Sequence, residues 1–342
     1  MSKGSLNVAR FGFQVLLTGG FLVLLAWRVN ISEALATLPD ANWLWVPPGL
    51  ALFTLAKTFH TARWRVFLGK HRKIPFRGLL GIFLVHNMAN GVLLLRAGDV
   101  IRIQITSQRY GIPRSELVAT VIVVETLLDG LTFVLLVAAA FSLGVVPVIL
   151  AGTFWGLAGL ALLGLALGVA TARYFDPDLL ERLRLLAWLT ADVRGRIKSL
   201  LGQFLEGMRA LREPSLAAPA IAFSIIGWMC EATSYYFFGE AFGLDLHYAA
   251  YLLIMMTANF AVSIPLTPSG IGPYEVATAE LVAALGTNDA LATGFAIGIH
   301  LSFIIWITVT GLAAMWLVRL TPNDIFYLSQ QPIDGRPQPE AT

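Results

Sequence analysis

Long apolar runs alternate with short polar segments along this chain, and their lengths predict membrane-spanning helices. A helix needs about 20 apolar residues to cross the hydrocarbon core of a bilayer. Runs that approach this length lie at about 11–28, 44–62, 118–142, 145–171, 217–241 and 290–318. The first run ends at Trp27-Arg28 without a small-residue cleavage pattern, so we interpret it as an uncleaved helix. The pattern predicts an all-α integral membrane protein with about six full transmembrane helices in a single polytopic domain, residues 1–320.

The charges between the runs predict the orientation of the chain. The loop after the second run is basic and has no acidic residue: Arg63, Arg65, Lys70, Arg72, Lys73 and Arg77. By the positive-inside rule this loop is cytoplasmic, which places the N-terminus in the cytoplasm and the protein in the cytoplasmic membrane. The connector 175–213 is also rich in arginine. Its apolar residues recur at helical spacing, which is typical of amphipathic helices on the membrane surface or of a solvated connector. The tail 321–342 contains Pro and Gln and is expected to be disordered.

Two segments, one in each half of the chain, share an unusual pattern. The first contains H86-N-M-A-N-G-V-L-L-L-R-A-G-D-V100 and the second contains T257-A-N-F-A-V-S-I-P-L-T-P-S-G-I-G-P-Y-E-V276. Each has an apolar run with Ala-Asn, then a Gly-containing break, then an acidic residue that opens a new segment. Paired, interrupted hydrophobic segments in corresponding halves indicate a transport site in a membrane protein.

The neighbouring runs predict that both broken segments are re-entrant helical hairpins, at about 78–110 and 248–286. In the first, the chain enters from the cytoplasm and has returned by about residue 116, so we expect helices at 78–90 and 98–109. Non-helical backbone at membrane depth is tolerated only where protein or a wet cavity surrounds it. The second hairpin, with helices expected at 248–262 and 274–285, enters from the opposite face. Two like elements of opposite orientation predict an inverted repeat.

The breaks carry residues that suit an anionic ligand. Asp99 and Glu275 each open a returning half-helix, where a carboxylate is either an ordinary helix cap or part of a site. Exposed N–H groups at a helix N-terminus form a natural site for an anion such as a lipid phosphate. Arg96 and Arg102 flank the first break and suit bidentate contact with phosphate, or a salt bridge to Asp99 or Glu125. The remaining candidate pathway residues in the breaks are Asn87, Asn90, Pro268, Ser269, Gly270 and Gly272.

Two carboxylates interrupt an otherwise apolar run. Glu125 and Asp129 are four residues apart, so they share one face of the predicted helix. Charged residues at membrane depth are costly and indicate a pathway or a proton-coupling role. A structural ion pair with the arginines is the alternative. Glu231, Glu240 and His300 are weaker candidates of the same kind.

Composition excludes several classes of function. Hydrophobic residues make up 57% of the chain and charged residues 13%, about half the ~25% that is usual in soluble domains. The net charge of +3 is too small to suggest nucleic acid, and a lone Cys230 gives no Cys-rich metal site. The nucleotide-binding, HExxH and GxSxG motifs are absent from the sequence. We therefore expect no cofactor, no metal and no catalytic constellation, with membrane lipids as the partners.

Three stretches carry a resemblance to a known family. They are L95-R-A-G-D-V-I-R102, A119-T-V-I-V-V-E-T-L-L-D129 and, most specifically, I264-P-L-T-P-S-G-I-G-P-Y-E275. With them the chain resembles the lysylphosphatidylglycerol synthase transmembrane family, also called flippase-like, over roughly residues 10–320. The family usually has Glu at the position of Asp99, and Arg at that of Thr126. The second difference removes a charge beside Glu125.

The resemblance implies a membrane module that moves a phospholipid or a polyprenyl-linked lipid between leaflets. It also implies that the aminoacyl-transferase domain of the full synthases is not in this chain, so we do not expect the chain alone to lysinylate lipid. Two alternatives stay open. One is a membrane-embedded headgroup transferase with Glu125 or Glu275 as its base. The other is a non-catalytic subunit that holds a lipid synthase or glycosyltransferase at the bilayer. Whether the chain forms an oligomer stays open as well.

Overall fold

The computed structural model describes residues 23, 31–71, 74–93, 97–144, 146, 148–178, 190–263, 267–321 and 324. The expected first span at 11–28, Arg96, residues 179–189 of the connector and most of the tail lie outside the described residues. The regular elements within the described ranges are all helical. This agrees with the predicted fold class.

The helices are numbered here in chain order. They are α1 (Ile31–Ala36), α2 (Val46–Phe67), α3 (Phe76–Val92), α4 (Ala97–Tyr110), α5 (Arg114–Ser142), α6 (Val148–Tyr174), α7 (Ala191–Gly207), α8 (Pro214–Phe242), α9 (Tyr248–Ser263), α10 (Pro273–Ala284) and α11 (Asp289–Leu317). Short 3-10 turns lie at Trp43–Trp45, Gly69–His71, Arg209–Leu211 and Pro268–Gly270. Helix α5 widens into a π-helical segment at Ala119–Val124.

Four of the described helices, α5, α6, α8 and α11, are long and apolar enough to cross a membrane. They coincide with the apolar runs at 118–142, 145–171, 217–241 and 290–318, so the chain is a multi-pass membrane protein. Helix α2 has 22 residues, which corresponds to about 33 Å at 1.5 Å per residue. Its composition is less apolar because Lys57, His60 and Arg63 lie in its second half. The total of six spans stays a prediction.

Both broken segments fold as two helices that pack against each other. Helix α3 contacts α4, and α9 contacts α10. The ends of all four helices lie within two residues of the predicted positions. The chain of the second break turns through Pro268–Gly270. We call the two helix–break–helix segments unit 1 (residues 76–110) and unit 2 (residues 248–284). Their re-entrant path and inverted symmetry stay predictions.

The buried apolar residues form two clusters, one around each unit. The first cluster contains residues of α3 and α4, and the second contains residues of α9 and α10. The long helices α2, α5, α8 and α11 contribute to both clusters. In α2, for example, Trp64 belongs to the first cluster and Phe53 to the second. Each unit therefore has its own core, and the long helices join the two cores.

The packing of unit 1 depends on the absence of a side chain at Gly98. A Cβ atom at this position would lie 2.6 Å from Oδ1 of Asn90 and closer still to the backbone carbonyl oxygen of His86. The backbone carbonyl cannot move away without shifting α3. Gly195 in α7 is a suitable comparison, because an added Cβ there would meet nothing within 4 Å.

We predict that Gly98→Ala lowers the melting temperature of the purified protein, because overpacking at a helix contact costs about 1–3 kcal/mol. Gly195→Ala is the control, and it should leave the melting temperature equal or raise it, since Ala favours a helix over Gly by about 1 kcal/mol. Thermal unfolding in detergent measures both. Equal melting temperatures for the two variants would contradict the tight contact at Gly98.

Candidate functional site

The two breaks touch, although they lie in different halves of the chain. The Ser269 hydroxyl donates a hydrogen bond of 2.5 Å to the backbone carbonyl of Gly91 at the end of α3. Ser269 has a φ of 56°, a left-handed conformation that costs a non-Gly residue on the order of 1 kcal/mol. Gly270 and Gly272 follow with φ of 77° and 96°, where glycine has no such penalty. The turn that begins at Pro268 thus places the Ser269 hydroxyl in contact with unit 1.

Glu275 fixes the start of α10 and links it to α11. Its Oε2 accepts a hydrogen bond of 2.6 Å from the N–H of Gly272, which caps the helix. Its Oε1 lies 2.6 Å from Nδ1 of His300, and Nε2 of the same ring lies 3.2 Å from the carbonyl oxygen of Ser269. Glu275 and His300 are both buried. Glu275 therefore caps the helix and is at the same time a candidate site residue.

The acidic residue of unit 1 also lies near a histidine. Oδ1 of Asp99, in the first turn of α4, lies 3.4 Å from Nδ1 of His86 in α3. Asn90 packs against the start of α4 at Gly98. Asn87 donates to the carbonyl of Phe83 within its own helix at 2.8 Å. Asn90 thus lies beside the returning helix of unit 1.

Arg102 and Glu125 form a bidentate ion pair between α4 and α5. The guanidinium nitrogens lie 2.8 Å and 2.6 Å from the two carboxylate oxygens. The guanidinium carbon also lies over two aromatic rings, 3.8 Å from the centroid of Trp64 and 4.7 Å from that of Phe83. Arg102 is only 1% exposed. Glu125 directly follows the π-helical segment, and such segments are frequent at functional sites.

Asp129 binds a second arginine one helical turn further along α5. Arg63 of α2 donates through Nη1 and Nη2 to the two carboxylate oxygens, and through Nη1 to the hydroxyl of Ser224 at 2.8 Å. The indole N–H of Trp228 donates to Asp129 at 2.9 Å. The side chain of Asp129 is 33% exposed, whereas Arg63 is buried. The two carboxylates on this face of α5 each hold an arginine from a different helix.

Sequence reasoning missed Lys57, which completes a third buried polar cluster. Its Nζ lies 2.7 Å from Oε2 of Glu231 in α8, and the side-chain amide of Asn259 in α9 donates to Oε1 at 2.9 Å. Asn259 belongs to the Ala-Asn pair that precedes the second break. The available signal in the sequence was a lysine within one apolar run and a glutamate within another, six helices later in the chain.

The candidate residues therefore lie in two groups. Asn90, Asp99 and the residues of 268–275 lie at the two touching breaks. The ion pairs of Glu125 and Asp129 lie along α5. Among the described residues, no group of three or more His, Cys, Asp or Glu side chains is arranged to hold a metal ion.

A cavity of about 410 Å³ lies beside unit 2, between α5, α6, α9 and α10. Its lining is apolar apart from two threonines and the carboxylate of Glu280. The residues are Phe133, Thr153, Phe154, Leu157, Met256, Thr257, Phe260, Ala277, Glu280, Leu281 and Ala284. None of the sequence-predicted site residues lines it.

Comparison with known proteins adds a family and a distant relative. Residues 12–311 match the family described as the lysylphosphatidylglycerol synthase TM region, which confirms the expected resemblance over most of the chain. A protein of Haloferax volcanii named glycosyltransferase AglD is 24% identical over 308 residues. That match covers 79% of this chain but 48% of the relative, so the chain spans about half of its length. No solved structure matches the chain. The chain belongs to the lysylphosphatidylglycerol synthase transmembrane family.

We predict that Arg102→Met lowers the free energy of unfolding by about 3–5 kcal/mol, because it leaves the Glu125 carboxylate without its partner in a buried setting. The double variant Arg102→Met with Glu125→Gln should regain most of this loss, since no unpaired charge remains. Thermal unfolding of the purified protein in detergent measures both effects. A double variant as unstable as the single one would contradict an ion pair as the source of the effect.

An exposed pair in the polar connector serves as the control for these variants. Arg209 donates a 2.5 Å hydrogen bond to Glu213, and this bond lowers the pKa of Glu213. Because solvent screens this pair, Arg209→Met should leave the melting temperature unchanged.

Proposed function

We propose that this member of the lysylphosphatidylglycerol synthase transmembrane family moves an anionic or zwitterionic lipid between the leaflets of the cytoplasmic membrane. The substrate would be a phospholipid or a polyprenyl-phosphate-linked lipid. The observation that carries the proposal is the contact between the two breaks, where Ser269 of unit 2 meets Gly91 of unit 1. Broken helices that meet inside a membrane protein supply polar backbone at a depth where lipid offers none.

In this proposal the units are opposed re-entrant hairpins related by an inverted repeat, and the N-terminus is cytoplasmic. Opposed entry gives each leaflet access to the same central breaks, as alternating access requires. The lipid tails stay in the bilayer beside the exposed apolar faces of α6 and α11, where Leu160, Leu167 and Leu312 are more than half exposed. Only the headgroup then has to cross the polar interior.

The lipid phosphate would bind at the start of the returning helices. Arg96, which directly precedes α4 in the sequence, and the backbone N–H group of Ser269 in the turn would donate to it. Arg102 would contribute by exchanging the Glu125 carboxylate for phosphate, because a guanidinium binds both bidentately. Glu125, Asp129 and Glu275 would line the path or carry protons.

We predict that the purified chain moves a headgroup-labelled fluorescent phosphatidylglycerol from the inner to the outer leaflet of proteoliposomes made of phosphatidylcholine and phosphatidylglycerol. An external quencher measures the fraction of the label that reaches the outer leaflet. Arg96→Ala and Glu275→Ala should each slow this movement about tenfold or more, which corresponds to about 1.4 kcal/mol of activation free energy. Glu33→Ala is the matched control, because this carboxylate lies exposed on α1. Protein-free vesicles give the background.

The outcomes separate function from site. Translocation would be rejected if the wild-type protein moved no lipid faster than protein-free vesicles do, over a panel of phospholipids and polyprenyl phosphates. Wild-type movement with unaltered rates in both variants would reject the assignment of Arg96 and Glu275.

The distant relative supports a second candidate function. Because it is named a glycosyltransferase and this chain spans about half its length, a membrane module for lipid-linked glycosyl transfer is the alternative. Such a module would be a transferase with Glu125 or Glu275 as base, or a non-catalytic subunit that binds a synthase or glycosyltransferase.

We predict that lipids incubated with the purified chain keep their mass, since a translocator changes position and not composition. Mass spectrometry of the recovered lipids over time measures this. A new headgroup mass would favour the transferase. Unchanged mass, no movement and a stoichiometric partner on purification would favour the subunit.

A further inference from the structure

His300 has an oxygen acceptor at each of its ring nitrogens. Nδ1 faces the Glu275 carboxyl at 2.6 Å, and Nε2 faces the backbone carbonyl of Ser269 at 3.2 Å. A neutral imidazole has a single N–H, and a backbone carbonyl can only accept. The two contacts together therefore require one proton more than a neutral histidine and an ionised glutamate possess.

The surroundings place this extra proton on the ring. The second oxygen of Glu275 accepts the N–H of Gly272 at 2.6 Å, and the carboxyl lies in the first turn of α10, where the helix dipole favours a negative charge. The ring of Tyr274 stacks on His300 with centroids 3.8 Å apart. An aromatic face stabilises a cation held against it. His300 and Glu275 are 4% and 8% exposed, so water supplies little of the hydrogen bonding.

The other titratable groups near α11 have partners of their own or lie at the surface. From α8, Tyr235 bonds with the hydroxyl of Tyr274, and Glu231 pairs with Lys57 of α2. From α3, His86 lies against Asp99. Further titratable groups on the packed elements are Glu33, exposed on α1, Arg77 near the start of α3, Glu280, exposed on α10, and Cys230 and the hydrogen-bonded pair Tyr236 and Glu240 on α8. The carboxylate that faces the His300 ring directly is Glu275.

We infer that Glu275 and His300 form a proton-binding site that holds the second break against unit 1. With the proton bound, His300 ties the turn at Ser269 to α10 and α11, and Ser269 in turn donates to Gly91. The site extends the proposed function, because a proton bound here would regulate lipid movement past the breaks. The binding of the proton itself does not depend on that function.

Loss of the proton to water has a defined consequence. The remaining N–H stays with the carboxylate, because the charge-assisted bond is the stronger one. The lone pair of Nε2 then faces the Ser269 carbonyl oxygen, and the two repel each other. Ser269 is held in a left-handed conformation at φ 56°, so the turn is the element that yields. Without the bound proton, the contact between Ser269 and Gly91 therefore opens.

The protonation state of His300 is measurable directly in proteoliposomes of the full chain by nitrogen-15 solid-state NMR. Ile299-His300 is the one Ile-His dipeptide in the sequence. A protein labelled with carbon-13 at the isoleucine carbonyl and with nitrogen-15 in histidine therefore gives an assigned His300 signal without any mutation. We expect both ring nitrogens of His300 to be protonated at neutral pH, with nearly equal nitrogen-15 shifts, because each nitrogen faces an oxygen acceptor. Widely separated shifts of a neutral ring at neutral pH would overturn the site.

The link to transport has its own test. Lipid movement by the wild-type protein should differ about tenfold between acidic and alkaline buffer, and His300→Gln and Glu275→Gln should each abolish this difference. His247→Gln is the control, because His247 is exposed in the loop before α9. A variant His300→Gln that keeps the wild-type pH profile would overturn the regulatory role. A wild-type protein that moves no lipid would reject the proposed function, whereas the NMR result would still decide the proton site.

Discussion

Ion pairs between helices are the interaction on which the buried part of this structure depends. A charged side chain at the centre of a membrane helix costs about 2.5–3.5 kcal/mol on insertion scales, so it requires a partner. Lys57, Arg63 and Arg102 each meet a carboxylate from another helix. Helix α2 supplies two of these cations, and the pairs fix its rotation relative to α5 and α8. The same charges that make α2 less apolar than the other long helices thus give it a defined place in the bundle.

The helix bounds were predictable because local sequence determines them. Gly, Pro and Asn end or start helices through their own backbone preferences, and the breaks after Val92 and Ser263 follow from such residues. Four of the apolar runs likewise correspond to helices long enough to span a membrane. Each of these inferences uses residues that are neighbours in the sequence, and each agrees with the structure to within a few residues.

The pairing of the site residues was not predictable in the same way. Arg102 had two possible partners in the sequence, Asp99 and Glu125, and the choice depends on how α4 packs on α5. Lys57 and Glu231 are 174 residues apart, and a periodicity argument cannot connect them. The sequence identifies some buried charges, such as Glu231, because they interrupt apolar runs, but the buried Arg63 and Arg102 lie outside those runs. The sequence does not show how one helix is rotated against another, and this rotation determines which carboxylate each buried cation contacts.

Unit 2 is held by buried polar contacts on both sides of its break. Asn259 bonds with Glu231 before the break, and Glu275 bonds with His300 after it. Movement of the turn therefore disturbs two buried carboxylates, which are 1% and 8% exposed for Glu231 and Glu275. A ligand that stabilises the moved turn must offer the freed donors an equivalent acceptor, and a phosphate has the charge and the oxygen geometry to do so. An apolar tail alone does not, so in the proposed translocation the headgroup would be the part of the lipid that shifts the equilibrium between closed and open breaks.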